Sequence, residues 1–374
     1  MKVLYVGVYK DGTGWANAAQ SYILALDAAG IDVVPRAIKH NFLSAEVHPR
    51  ILELEKQSSR DCDVIIQNVL PMFMEYSGHF QKNIGLYFTE TDSIKSSSWP
   101  AKLNLMDELW VCNEQMVDAA RVSGINKPIR VFPIPCDTQR YEASEYSQTN
   151  SIGELSADRF RFYFIGEVKR RKNLVALLKA FHLEFGVSEP VDLIIKANLA
   201  EHSEQECLMH INEVTTTVKE NLKLYRDIDS YKTEVVMTKY LDDKSLLDLH
   251  KMCDCLVAPS FSEAWCIPAF DAMAMGKTPI VNAAGGMKDF VTKDNGWLVG
   301  NSEEPAFGMK DTFHELYSGR ENWWNINISE LRKAMRESYK NKDLKRKKAE
   351  QGVSDRYEFS LSLVGEQMGD AIHA

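Results

Sequence analysis

Short apolar runs alternate with longer amphipathic stretches along most of the chain, the pattern of successive strand–helix units. Lys2 to Val8 reads as a first buried strand. Asp11-Gly12-Thr13-Gly14 reads as a turn, and Trp15 to Ala29 as a helix that Gly30 stops. Runs at Ile31–Ile38, Val64–Ile66, Ile84–Phe88, Leu109–Cys112 and Ile129–Ile134 continue the series, with a helix through Val122 before the last. From Asp137 to Arg159 the pattern lapses into Ser, Glu, Gln, Asn and Thr, which predicts a linker. The alternation then restarts: strands are expected at Phe162–Ile165, Val191–Lys196 and Glu234–Thr238, and helices at Asn173–Phe185, Ser203–Leu222 and Asp243–Met252. The tail reads as helical from Ser329, with a basic segment Lys340 to Lys348 and a last apolar-periodic piece Leu361 to Ile372. No repeat of solenoid period is evident.

The most informative stretch is Val257 to Val291. Cys255 to Ala258 is an apolar run too short for a helix and stopped by Pro259. Pro268 suits a first helical position, where its missing N–H costs no bond, and Gly276 suits the end, because glycine enters the left-handed region cheaply. Pro279 to Ala284 gives the next strand, and Gly285-Gly286 follows. Glu263 stands in the loop and Asp271 in the first turns of the helix. A helix N-terminus at the carboxyl end of a parallel strand is a ready phosphate site, so this stretch is expected to hold a phosphate-bearing donor.

The length of 374 residues exceeds a usual single core and predicts two domains. A net charge of −9 argues against a dominant nucleic-acid surface, which needs clustered positive charge. The 7 cysteines are odd in number, lack framework spacing and partly sit in apolar runs, which predicts buried thiols and a cytoplasmic setting. The N-terminus meets glycine and charge too early for a signal peptide, and no apolar run approaches a membrane span; peripheral membrane contact stays open. D-G-T-G lacks the third glycine of a dinucleotide site, which disfavours an oxidoreductase.

On Pro259-Ser260-Phe261-Ser262-Glu263, then Asp271-Ala272-Met273-Ala274-Met275-Gly276 and Gly285-Gly286, the sequence resembles the retaining glycosyltransferases of family 4, which have the GT-B fold. Phe164-Ile165-Gly166-Glu167 through Lys172-Asn173-Leu174 looks like the first strand and helix of that family's second domain, and Asp107–Val111 to Pro133–Asp137 like the end of its first. The resemblance is loose over residues 35 to 100. It implies two Rossmann-like doubly wound α/β domains facing each other across a cleft, with a C-terminal helix crossing back to the first. The expected limits are 1–153 plus 358–374 for the acceptor-side domain and 154–357 for the nucleotide-sugar domain.

The resemblance also implies roles. Lys172 matches the diphosphate lysine, needed because the leaving group gathers charge in the transition state. Glu167 stands where the family commonly has arginine; either Arg170 or Arg171 replaces that cation, with Arg171 favoured, or diphosphate is bound more weakly than is usual in the family. Glu263 matches the carboxylate that accepts hydrogen bonds from donor-sugar hydroxyls, with the peptide groups of Ala264, Trp265 and Cys266 cradling sugar and phosphate. Asp271 matches the ribose-binding carboxylate, usually glutamate. Gly12, Gly14 and Gly166 would let backbone approach the donor. Trp15, Asn17 and Glu90 would face the acceptor.

The expected protein is a cytoplasmic, metal-independent transferase with no cofactor beyond its substrate, a UDP- or GDP-linked sugar. Asp61-Cys62-Asp63 and Asp227-Ile228-Asp229 spell a metal-binding pattern but do not follow strands. The acceptor stays open among glycan, lipid-linked, small-molecule and nucleic-acid base, the last using the basic tail. A catalytically idle binding or scaffold protein of the same fold is the rival from another class.

Overall fold

The computed structural model describes residues 1–39, 46–142, 158–199, 202–310, 312 and 314–374. Most of the predicted linker, 143–157, lies outside the described residues. The chain divides into two compact units. One comprises Met1–Arg140, Thr312–Asn322 and Arg356–Ala374, and the other Tyr141–Asp311 and Trp323–Asp355.

The first unit runs β1 (Lys2–Gly7), α1 (Gly14–Ala28), β2 (Asp32–Ala37), α2 (Pro49–Leu54), β3 (Val64–Asn68), β4 (Lys82–Leu86), α3 (Trp99–Leu103), β5 (Glu108–Val111), α4 (Glu114–Val122) and β6 (Ile129–Val131). Its strands form one parallel sheet in the order β2-β1-β3-β4-β5-β6. The strands are apolar on both faces because helices cover both, and Val3, Ile66, Ile84 and Trp110 are fully buried. Thr13 caps α1 by accepting the Ala16 N–H at 3.2 Å, so the predicted glycine turn hands directly into the helix.

The second unit runs β7 (Phe160–Glu167), α5 (Leu174–Glu184), β8 (Val191–Asn198), α6 (Glu204–Leu222), β9 (Val235–Met237), α7 (Asp243–Met252), β10 (Cys255–Ala258), α8 (Ile267–Ala274), β11 (Ile280–Asn282), α9 (Met287–Phe290), β12 (Trp297–Val299), β13 (Asn301–Pro305), β14 (Asn322–Ile326), α10 (Ile328–Lys340) and α11 (Lys342–Asp355). The main sheet is parallel, in the order β12-β11-β10-β7-β8-β9, and β13 and β14 form a separate two-stranded sheet. The strand order reverses between β7 and β10. Ligands of doubly wound sheets bind at such a switch point, beyond the carboxyl ends of the strands. The core under α5, α6 and α10 is aromatic and aliphatic, with Phe162, Phe181, Leu193 and Ile211 fully buried.

The terminal helix α12 (Leu361–His373) belongs to the first unit and packs on α1. The two helices approach so closely that a Cβ at Gly365 would lie 2.0 Å from the Ala25 carbonyl oxygen. Each unit is a Rossmann-like α/β layer structure, and two such units are what the resemblance to GT-B enzymes implied.

Two details differ from the local pattern. The basic segment Lys340 to Lys348 is partly engaged inside its own unit. Lys345 pairs with Asp254 at 3.0 Å, and Lys348 is buried, with its ammonium on the carbonyls of Lys293 and Gly296. Pro268 is the second residue of α8 rather than the first, because Cys266 turns into the helix from a left-handed conformation, φ 74°. No helix among the described residues is long and apolar enough to cross a membrane.

Candidate active site

The switch point of the second unit brings together two loops that are 91 residues apart in sequence. One follows β7: Arg170–Lys172 make a single 3-10 turn, Asn173 takes a left-handed conformation with φ 54°, and α5 begins. The other follows β10 and carries Glu263 toward α8. The backbones are tied where Phe261 N–H donates to the Arg171 carbonyl at 2.8 Å.

Glu263 is the centre of the arrangement. Lys172 Nζ lies 2.7 Å from its Oε1, and an Arg171 guanidinium nitrogen lies 2.7 Å from its Oε2. The same guanidinium donates to the Ser262 carbonyl at 2.8 Å. Burial alone would raise the Glu263 carboxyl, but the charges of Arg171 and Lys172 outweigh it and hold the group at about 2. It is therefore an ionised, acceptor-only group at neutral pH. Lys172, Arg171 and Glu263, to which the resemblance gave separate roles, are thus adjacent. Arg170 points elsewhere, with its guanidinium 4.1 Å from the Phe307 ring centroid, and Glu167 pairs with Lys169 at 3.1 Å.

The glycine pair has a steric reason. Gly285 holds φ 63°, and a Cβ there would lie 2.2 Å from the Glu263 carbonyl oxygen. Gly286 N–H donates to that same oxygen at 2.9 Å. The loop after β11 thus fixes the Glu263 backbone. Gly166 lies over the stem of Lys172, where a Cβ would be 3.6 Å from Lys172 Cδ.

Asp271 is 6% exposed and accepts the Tyr141 hydroxyl at 2.6 Å through Oδ1. A buried carboxylate engaged by a phenol is a more enclosed group than the expected ribose contact. Trp265 and Cys266 are also buried, whereas Ala264 is partly exposed. Burial, with the Glu263 charge behind it, pushes the Cys266 thiol up to about 12, so it is no nucleophile at neutral pH.

Gly12 and Gly14, expected to approach the donor, and Trp15, Asn17 and Glu90, expected on the acceptor side, all lie in the first unit. Gly12, Gly14 and Asn17 are exposed, and Trp15 packs edge-on against Phe88 with ring centroids 5.3 Å apart. Glu90 follows β4 and accepts the Tyr317 hydroxyl at 2.5 Å.

Sequence reasoning missed Tyr141, Tyr317 and Asn282. Asn282 Nδ2 donates to the carbonyls of Ser260 at 2.9 Å and Trp324 at 2.7 Å, tying the Glu263 loop to β14. A polar residue ending a buried run was its available signal; the two tyrosines had none. A cavity of about 520 Å3 beside the 3-10 turn is lined by Arg170, Asn173, Phe261 and Glu304, but not by Arg171, Lys172 or Glu263. Among the described residues no group of three or more His, Cys, Asp or Glu is placed to hold a metal. Of the two D-x-D segments, Asp63 bonds the Lys2 N–H and Asp227 the Asp229 N–H.

Comparison with known proteins adds the following. The family model described as "Glycosyl transferases group 1" matches residues 148–337. No curated protein matches the sequence. Among solved structures, sucrose-phosphate synthase from Thermosynechococcus elongatus is similar in fold, with a TM-score of 0.68 at 16% identity over 100% of this chain and 98% of that one. HepE of Anabaena, in complex with UDP and glucose, gives a TM-score of 0.68 at 14% identity, covering 100% of both chains. A glycosyltransferase from Rickettsia africae gives 0.65 at 12% identity, over 99% of this chain and 97% of that one.

Proposed function

This chain belongs to the glycosyl transferases group 1, and from that premise we propose that it is a retaining, metal-independent enzyme of the family 4 type, moving a sugar from a nucleoside-diphosphate donor to an acceptor hydroxyl. The observation that carries the reading is the pair of cations on one buried carboxylate at the switch point. In the reaction the bond from the anomeric carbon to the β-phosphate oxygen breaks, and a bond from that carbon to the acceptor oxygen forms on the same face. The acceptor proton passes to a diphosphate oxygen.

Lys172 and Arg171 serve the leaving group, because they are preorganised where negative charge grows. At rest they neutralise Glu263; when diphosphate arrives, the cations bridge carboxylate and phosphate. Glu263, ionised throughout, accepts hydrogen bonds from sugar hydroxyls and is no general acid. With Cys266 inert, the loop offers no thiol nucleophile, which favours attack by the acceptor over a thiol-linked intermediate.

HepE was solved with UDP and glucose, which makes UDP-glucose the first donor to try, followed by GDP- and ADP-sugars. The test is slow hydrolysis of these donors by the full chain. Release of nucleoside diphosphate that disappears in Lys172→Ala supports the proposal; no binding and no release across the panel overturns it.

A further inference from the structure

The chain returns to its first unit through Thr312–Asn322, far in sequence from the strands it joins. Tyr317 in this segment holds φ 54°, a left-handed backbone that an aromatic residue adopts only at a steric cost. The surrounding bonds hold it there. Ser318 N–H donates to Glu321 at 2.9 Å. Asn322 gives its N–H and its Nδ2 to the two oxygens of Asp92, at 2.7 and 3.0 Å, and its carbonyl takes the Asp92 N–H at 3.0 Å. Glu315 accepts the Ser98 N–H at 2.7 Å. The segment is therefore fastened along the loop after β4, and the strained residue delivers its phenol to Glu90 at 2.5 Å.

Two residues before Glu90 stands Phe88, against Trp15. The carboxyl end of β4 thus carries a carboxylate, a phenol and an edge-on aromatic pair. We propose that Glu90 and Tyr317 are a recognition pair for a neutral carbohydrate acceptor, with Tyr317 the positioning residue. This rests on reading the first unit as the acceptor side. A sugar ring offers hydroxyls that both donate and accept, which a carboxylate and a phenol oxygen match, and an apolar C–H face, which an aromatic ring matches. An acceptor bearing phosphates, such as a nucleic acid or a phospholipid, would bring like charge against Glu90 and Asp92. The cations of the same two segments, Lys95 and Arg320, are exposed to solvent.

Saturation-transfer NMR on the full chain, with methyl glucoside, methyl galactoside and methyl mannoside as probes, tests this directly. The expected result is transfer to ring protons of at least one glycoside, weakened about tenfold in Tyr317→Phe and in Glu90→Ala, the worth of one charge-assisted hydrogen bond. UDP binding, followed by calorimetry, should stay intact in both variants and shows that they are folded. No transfer to any glycoside, or equal transfer in wild type and variants, overturns the proposal. Loss of UDP binding by the wild type would instead count against the donor reading alone.

Discussion

Lys172 Nζ and Glu263 Oε1 stand 2.7 Å apart, although one residue follows the first strand of its sheet and the other the fourth. Arg171 closes the other side of the same carboxylate. One carboxylate between two cations leaves a positive charge in excess, and removing either cation leaves a neutral pair with none to offer a diphosphate. Lys172→Ala and Arg171→Ala should each lower turnover about 10²- to 10³-fold, the scale of losing one preorganised electrostatic contact. Donor-release kinetics measure it; turnover within a factor of two of wild type would remove the assigned role.

Acid stability follows from the same contact. The Glu263 carboxyl is held at about 2 against an ordinary 4.5, so its contribution is fully present above the ordinary value and is lost as pH falls toward 2. The contribution is roughly 3 kcal/mol at neutral pH. Urea unfolding between pH 5 and 2.5 should show the wild type losing stability more steeply than Glu263→Gln. Parallel profiles would contradict the ion-pair account.

Gly285 and Gly14 separate steric need from chemical need. Gly285→Ala places a methyl group 2.2 Å from the Glu263 carbonyl oxygen at φ 63°, and should cost about 3 kcal/mol or prevent folding. A Cβ at Gly14 meets nothing within 4 Å, so Gly14→Ala should leave the melting temperature unchanged. If backbone there approaches the donor, that variant raises the donor KM without loss of stability; an unchanged KM removes Gly14 from the donor site.

Asp271 is the shortened carboxylate, and Tyr141 occupies one of its oxygens. If the other oxygen reads the ribose, wild type should bind UDP more tightly than 2′-deoxy-UDP by about tenfold, and Asp271→Ala should erase the difference. Discrimination that persists in the variant assigns Asp271 to holding Tyr141 alone.

Metal removal is the simplest test of the proposed chemistry. Donor turnover should be unchanged after EDTA and after passage through a chelating column, because Arg171 and Lys172 supply the positive charge. Activity that collapses and returns with magnesium or manganese would refute the cation assignment.

What the sequence by itself determined is the layer architecture and the kind of residue at the site. Apolar runs, helix periods and breakers are local, so β10, α8 and β11 and their charged loops were legible from a few residues each. The positions of Glu263 and the Lys172 turn relative to each chain element were equally local. Their contact, across 91 residues, was not, because it depends on β7 and β10 pairing side by side at the reversal of the sheet. The same holds for Tyr141 on Asp271, Tyr317 on Glu90 and Gly365 against Ala25. None of these partners carries a local signal, since a tyrosine or glycine looks alike whether it meets solvent or a carboxylate. Sequence chose the chemical groups, and tertiary packing chose which of them touch.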